Sequence, residues 1–330
     1  MQNRNYNTKA IVEAGLITSL VVILMLMSVY IPIFSLIGIF ILPIPITVLF
    51  IRQNYKVTIV SVVISAIIIG MVFNPISAVS SSILFGLTGI TLGYLIKNDK
   101  SISTIILFLA AAFAAAMIVD FGIYISLIDK RGLVGFVNDI AAQFKDSMNM
   151  VKQMYSKMGV SSEQLASLDQ VSSMFNTKYI MSIIPALIVM ISVTFSYLNY
   201  TITKKILKKL RYNVKSIAPF SELYVSAKTG SLIGIVLVIG LFLKRNNIAL
   251  GDSIAISSQY ILQLVLLLDG FALAAYYLKN KFKMSKTFTF IIILLTGFSQ
   301  IAVVYMLAGL SDIFFDFRKI NLHKREEKRW

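Results

Sequence analysis

The fold class is decided by residues 102–128, which read ISTIILFLAAAFAAAMIVDFGIYISLI. As a helix rising about 1.5 Å per residue, this stretch is long enough to cross a bilayer's hydrocarbon core of roughly 30 Å. Eight further apolar stretches share its character, although the second and the seventh are short. They cover residues 10–32, 37–51, 57–73, 76–96, 179–202, 232–243, 254–278 and 288–315. We therefore predict an all-α fold, a polytopic transmembrane helical bundle of about 8–10 membrane segments.

Composition agrees with a membrane protein and excludes several other classes. Hydrophobic residues make up 57% of the 330, and the mean hydropathy is +0.82, too apolar for the wettable surface of a soluble fold. The net charge of +16 lies in the joints between apolar stretches, so no nucleic-acid partner is expected. The chain has no cysteine, and its single histidine, His323, lies in the charged tail. No metal site and no cofactor are expected.

The lysines and arginines predict the orientation of the chain. Short basic joints follow the second and fourth stretches, which places the N-terminus in the cytoplasm. Nine full crossings would leave the basic tail outside, so one stretch must depart from a simple crossing. We favour a hairpin in the last stretch, broken near residues 297–300, GFSQ; the alternative is that the short seventh stretch only dips into the membrane.

Four regions follow from this map. They are an N-terminal bundle at 1–128, an extracytoplasmic insertion at 129–178, a C-terminal bundle at 179–317 and a basic cytoplasmic tail at 318–330. Apolar residues at helical spacing predict an amphipathic helix in the insertion: Phe136, Ile140, Phe144, Val151, Met154 and Met158. A second helix is predicted to begin at Ser161, with Gln164 completing a capping box. The insertion is interpreted as a cap that shields helix ends or lies at the lipid interface or, less favoured, as a lid over an outward-facing cavity.

Three carboxylates lie within the apolar stretches: Glu13, Asp120 and Asp269. Glu13 lies near the start of its helix and is interpreted as structural. Asp120 and Asp269 differ in predicted depth by roughly 13 Å, so they cannot form an aspartyl catalytic dyad. Without an intramembrane histidine, an H-E-x-x-H pattern or a phosphate-binding GxxxxGK[ST] loop, no enzyme activity is expected.

Two of these carboxylates are candidates for ligand binding. Asp120, with Tyr124 on the same helix, is either a ligand contact or a protonated carboxyl bonded to a neighbouring helix. Asp269, with Gln263, Gln259 and Tyr260 on the same helix, either belongs to a polar network that fixes packing or forms a substrate or proton site. The structural interpretation is favoured for both.

A basic cluster follows the sixth stretch. Lys204, Lys208, Arg211 and Lys215 recur at helical spacing, which predicts a helix lying on the anionic cytoplasmic leaflet. The same surface is a candidate for docking a membrane partner. Small residues elsewhere predict close helix approach. They are Gly86, Gly89 and Gly93 in the fourth stretch, which include one G-x-x-x-G, and Ala110, Ala111, Ala112, Ala114, Ala115 and Ala116 in the fifth.

The chain resembles two groups of known proteins. Residues 8–16 (TKAIVEAGL), 42–45 (LPIP) and the run from 52 to 75 resemble the start of the substrate-binding S components of energy-coupling-factor vitamin transporters. Over its whole length, including 309–318 (GLSDIFFDFR), the chain looks like the YybS-like family of bacterial membrane proteins. The first resemblance implies docking of Ala10 and Ala14 on a membrane coupling subunit, and the second implies the bacterial plasma membrane.

Three functions are compatible with these features. The leading hypothesis is a transporter-like subunit that binds a small molecule of vitamin type and has no ATPase of its own. The alternatives are a scaffold or regulator that holds a partner through its basic cytoplasmic surfaces, and a lipid-handling protein with a groove open to the bilayer. An outward-facing cavity of at least about 300 Å³ that carries Asp120 would favour the first.

Overall fold

The computed structural model describes residues 8–297 and 299–320. Within these ranges the regular elements are thirteen α-helices and one short 3-10 turn, Phe220–Glu222, so the predicted all-α class is confirmed. The helices are α1 Thr8–Tyr30, α2 Pro32–Ile41, α3 Pro43–Arg52, α4 Tyr55–Val72, α5 Pro75–Lys97, α6 Ile102–Leu127, α7 Gly132–Lys157, α8 Ser162–Met174, α9 Thr177–Lys209, α10 Ala227–Arg245, α11 Gly251–Asn280, α12 Lys286–Gly297 and α13 Ala302–Phe315.

Seven of the described helices are long and apolar enough to cross a membrane: α1, α4, α5, α6, α9, α10 and α11. They include the seventh predicted stretch, whose helix α10 has 19 residues. The second predicted stretch is instead divided between α2 and α3 at Leu42. Pro43 has no N–H to continue the hydrogen bonding of α2, and it occupies the first turn of α3, where that loss costs nothing.

The last apolar stretch forms two helices, as the hairpin hypothesis requires. α12 ends at Gly297, α13 begins at Ala302, and the two are bent by 111°, which is less than a full reversal. The break, residues 298–301, therefore overlaps the predicted residues 297–300; Phe298 lies outside the described part of the chain. Counted as one span, the pair would bring the membrane segments to eight.

The chain divides into two compact units. Of the described residues, the first unit contains 8–140 and 188–217, and the second contains 141–187, 218–297 and 299–320. This division differs from the predicted regions because the second half of α9 packs with the first helices. Phe195 stacks on Phe113 with ring centroids 3.7 Å apart, and Asn199 donates a hydrogen bond to the carbonyl of Phe40 at 2.9 Å.

Close helix approach in the first unit depends on glycine, as predicted. A Cβ added at Gly89 would lie 2.7 Å from the carbonyl oxygen of Pro43, and one at Gly93 would lie 2.7 Å from the Cβ of Phe50. Both glycines therefore allow α5 to lie directly against α3.

The second unit contains an equally close pair of helices. A Cβ added at Gly309 of α13 would lie 2.1 Å from the carbonyl oxygen of Leu266 in α11, and one at Gly270 would lie within 2 Å of the Tyr305 carbonyl oxygen. The α11–α13 contact can therefore exist only with glycine at both positions.

The insertion is helical, as predicted, but its capping box does not form. Ser161 precedes α8 and makes no side-chain hydrogen bond to the helix backbone; its hydroxyl donates instead to Gln164 Oε1 at 3.4 Å. The basic segment after α9 also differs from the prediction. The helix ends at Lys209, and Arg211 has a left-handed φ of 65°, so Arg211 and Lys215 do not continue the helical stripe.

Candidate functional site

An apolar groove lies between α11 and α12 of the second unit. Its α11 wall consists of Leu267, Phe271, Ala275 and Lys279, which recur every four residues and so share one helix face. Its α12 wall also follows one helix face, at spacings of three and four residues, and consists of Lys286, Thr289, Phe290, Ile293, Leu294 and Gly297. A third wall consists of Pro219, Phe220 and Ser221. The cavity volume is about 540 Å³, within the range of roughly 300–1,000 Å³ typical of small-molecule sites.

The groove carries positive charge at one end only. Lys279 lies in the last turn of α11 and Lys286 opens α12, so both lie beside the turn that joins the two helices. Both are exposed, and neither side-chain amine pairs with a described residue. Among the described residues no carboxylate lines the groove. The positive-inside pattern predicts that this end faces the cytoplasm.

Thr289 contributes an unsatisfied hydroxyl to the wall of the groove. The residue is 6% exposed, and its Oγ1 is buried without a hydrogen-bond partner in the described chain. Other helical threonines, Thr47, Thr58 and Thr296, donate to the carbonyl four residues earlier. A buried hydroxyl without a partner costs about 1–3 kcal/mol, so a ligand that accepts its hydrogen bond would recover part of that cost.

A buried ion cluster lies behind the third wall. Arg318 donates to Asp312 at 2.7 and 2.9 Å, to Asp269 at 2.8 Å, and to the carbonyls of Ser221 and Leu223 at 3.1 and 2.7 Å. The three charged side chains are fully buried. These five bonds match the five N–H donors of a guanidinium, so the arginine is satisfied.

The cluster holds the loop that forms the third wall. Ser221 lines the groove while its carbonyl accepts from Arg318, and Val225 N–H donates to Asp269 Oδ1 at 3.2 Å. The guanidinium carbon lies 6.0 Å from the ring centre of Tyr224, a cation–π distance. Burial raises the pKa of the Tyr224 phenol, and nearby carboxylates add to this shift. The loop is therefore fixed by charge-assisted bonds.

Two carboxylates share one arginine in this cluster, which leaves a formal charge of −1. Asp269 Oδ2 and Asp312 Oδ1 are buried and have no hydrogen-bond partner in the described chain. Asp312 is a fourth carboxylate within the apolar stretches, in addition to the predicted Glu13, Asp120 and Asp269, so the prediction of three is wrong. It lies in α13 and is fully buried.

The four predicted ligand-binding residues lie outside the groove. Asp120 is exposed, and Tyr124, 37% exposed, packs its ring against Phe121 and Phe136. Gln263 is half-buried. Asp269 belongs to a polar network, but its partners are not those on its own helix.

Tyr260 and Gln259, which were expected to join Asp269 in a polar network, do not contact it. Tyr260 contacts the hydroxyl of Tyr179, whereas Gln259 is exposed. Asp269 instead pairs with Arg318, which the sequence analysis assigned to the tail. The signal that was missed is a charge balance: two carboxylates inside apolar helices require a buried cation, and Arg318 is the first basic residue after α13.

The predicted docking residues are distributed unevenly between surface and interior. Ala10 is buried at 8% exposure and Ala14 is half-buried. Lys204 is half-buried, whereas Lys208 and Arg211 are exposed, with Lys208 donating to Ser216 Oγ at 3.2 Å. Docking of a partner on either surface stays a prediction.

Comparison with known proteins places the chain in a family. The model of the family described as "Predicted membrane protein (DUF2232)" matches residues 19–313. A protein of Bacillus subtilis (strain 168), "Uncharacterized protein YybS", is 24% identical over 274 residues, which is 83% of this chain and 86% of that protein. No solved structure matches. With most of its length matched and seven apolar helices long enough to cross a bilayer, the chain is a multi-pass membrane protein of the DUF2232 family.

Proposed function

We propose that this protein binds a membrane lipid in the groove between α11 and α12 and performs no catalysis of its own. The observation that carries the proposal is a cavity of about 540 Å³ whose walls are apolar and whose charged residues, within the described part of the chain, lie at one end. A ligand for such a site has a long apolar part and a polar end. Lipids have this shape, and they surround the protein at high concentration.

Two neighbouring leucines of α12 provide a matched test. Leu294 lines the groove and is 44% exposed, whereas Leu295 does not line it and is 70% exposed. Because both side chains are exposed, we expect the fold to accommodate tryptophan at either position, and only Leu294→Trp to occupy the groove. We expect Leu294→Trp to weaken lipid binding roughly tenfold, and Leu295→Trp to leave it unchanged.

The measurement is native mass spectrometry of the delipidated protein, titrated in detergent with phospholipid. We expect the unmodified protein to retain one lipid per chain at the highest collision energy at which it stays folded. Equal retention by the two tryptophan variants would contradict a site in this groove. Equal thermal unfolding midpoints for the two variants would show that folding is not the cause of a difference.

A second candidate is the transporter-like binding of a vitamin-sized molecule. A cavity of about 250 Å³ in the first unit favours it; the polar residues of its lining are Ser28, Ser35 and Ser81. This volume is below the roughly 300 Å³ typical of ligand sites, and Asp120 and Tyr124 do not line the cavity. Gentle purification followed by the same mass measurement separates the candidates, because a bound vitamin and a bound lipid differ in mass.

A further inference from the structure

The length of the groove matches one leaflet of a bilayer. From Leu267 to Lys279 the α11 wall spans twelve residues, or about 18 Å at 1.5 Å per residue. Half of a hydrocarbon core of roughly 30 Å is about 15 Å. An acyl chain in the leaflet on the lysine side can therefore lie along the whole stripe, with its head group at the lysines.

The charges at the head-group end select for a negative ligand. Lys279 and Lys286 lie at the same end of the groove on opposite walls, and none of the described residues that line it is a carboxylate that could neutralise them. Two ammonium groups without partners attract a phosphate that carries a net negative charge. A zwitterionic head group also carries a positive charge, which the two lysines repel, so its binding free energy is less favourable.

Thr289 lies at the depth where the ester groups of a phospholipid begin. It is three residues from Lys286 on the same wall, or about 4.5 Å along the helix axis. In a phospholipid the ester carbonyls lie just below the phosphate. The Thr289 hydroxyl has no partner among the described residues and is buried in the wall, so a rotation about χ1 is needed for it to donate to one of these carbonyls.

We propose that the groove is a site for an anionic phospholipid of the leaflet on the lysine side. Its phosphate lies between Lys279 and Lys286, one ester carbonyl accepts from Thr289, and an acyl chain follows the apolar stripe of α11. This inference rests on the proposed function and adds the charge and the linkage chemistry of the lipid.

The first test compares two lipids that share their acyl chains. Delipidated protein is titrated with dioleoyl phosphatidylglycerol or dioleoyl phosphatidylcholine, and bound lipid is counted by native mass spectrometry. We expect a preference of roughly tenfold for the anionic lipid. The Lys279→Gln/Lys286→Gln variant should lose that preference.

The matched control neutralises two lysines of the same turn that do not line the groove. Lys281 and Lys283 are both exposed, so the Lys281→Gln/Lys283→Gln variant removes the same charge and should keep the preference. Equal loss in the two double variants would overturn the inference, because general surface charge would then explain the preference. Binding of both lipids with equal affinity would also overturn it, yet leave the proposed function standing. Failure of both lipids to bind would contradict the proposed function itself.

The second test concerns the ester linkage. Phosphatidylglycerol with ether-linked chains lacks the carbonyls, so we expect it to bind several-fold more weakly than the ester-linked form. Thr289→Val keeps the shape of the side chain, removes a hydroxyl that has no protein partner, and should equalise the two lipids. Equal binding of ester and ether lipids by the unmodified protein would exclude the Thr289 contact.

Discussion

Two arginines of this protein each bridge two aspartates, in opposite surroundings. Arg131 pairs with Asp129 and Asp139 at the start of the insertion, and its side chain is 60% exposed. Arg318 pairs with Asp269 and Asp312, and all three side chains are fully buried. The shortest N–O distances are similar, between 2.6 and 2.9 Å.

The difference between the two clusters is in what they connect. Asp129 and Asp139 lie two and eight residues from Arg131, so that cluster shapes one turn and the start of α7. Arg318 reaches Asp269 across 49 residues and the carbonyl of Ser221 across 97. In the first cluster Asp129 is buried, but water reaches Arg131 and Asp139, which are 60% and 45% exposed, and screens their charges. The second cluster is fully buried and has exchanged its hydration for contacts within the protein.

The largest expected effect comes from removing the buried cation. Arg318→Ala leaves two buried carboxylates and two carbonyls without their donor, so we expect a loss of about 3–5 kcal/mol in the free energy of unfolding. The measurement is the thermal unfolding midpoint in detergent. Lys319→Ala is the control, because Lys319 is exposed and adjacent. Similar midpoints for the two variants would mean that the buried cluster does not hold the second unit together.

A smaller effect is expected from neutralising one buried carboxylate. Asp269→Asn keeps an oxygen that accepts from Val225 N–H. It removes the negative charge of residue 269 and so weakens the hydrogen bond from Arg318. The expected loss is about 1–3 kcal/mol. Asp120→Asn is the matched control, since Asp120 is an exposed carboxylate in another membrane helix. If Asp120→Asn lowered the unfolding midpoint as much as Asp269→Asn does, the expectation that the buried carboxylate contributes more would be wrong.

The helices were predictable because a bilayer imposes a strong constraint on sequence. Every spanning segment must satisfy its backbone internally and show apolar side chains to lipid, so α6 was predicted at 102–128 and found at Ile102–Leu127. Polar residues also marked the break in the last stretch. Hydropathy alone does not indicate the division between α2 and α3, because both sides of Pro43 are apolar and the cause is the missing N–H of that proline.

The groove and the ion cluster were not predictable from local pattern. The stripe from Leu267 to Lys279 is periodic, yet periodicity does not show which helix faces it. Arg318 is followed closely by other basic residues, so it was interpreted as part of a solvated tail. Its pairing with Asp269 is a tertiary contact that only the folded chain displays.

The smallest expected effect comes from the exposed cluster. Hydrogen bonds from the Arg131 side chain lower the pKa of Asp129, against the opposing effect of burial, and the two aspartates raise the pKa of Arg131. Arg131→Ala should therefore destabilise the protein far less than Arg318→Ala does. The loss should shrink further at high salt, because solvent-exposed charges are screened.

The pH dependence of this loss follows from the direction of the Asp129 shift. Because the folded-state pKa of Asp129 lies below its unfolded value of about 3.9, the pairing stabilises the fold fully above that value. The contribution is lost as the pH falls through the folded-state pKa. Unfolding midpoints of the unmodified protein and Arg131→Ala should therefore differ by a constant amount from pH 5 to 7 and converge below about pH 4. A difference that persists in acid would show that Arg131 stabilises the fold independently of the charge on Asp129, and would contradict the assignment of this effect to the ion pair.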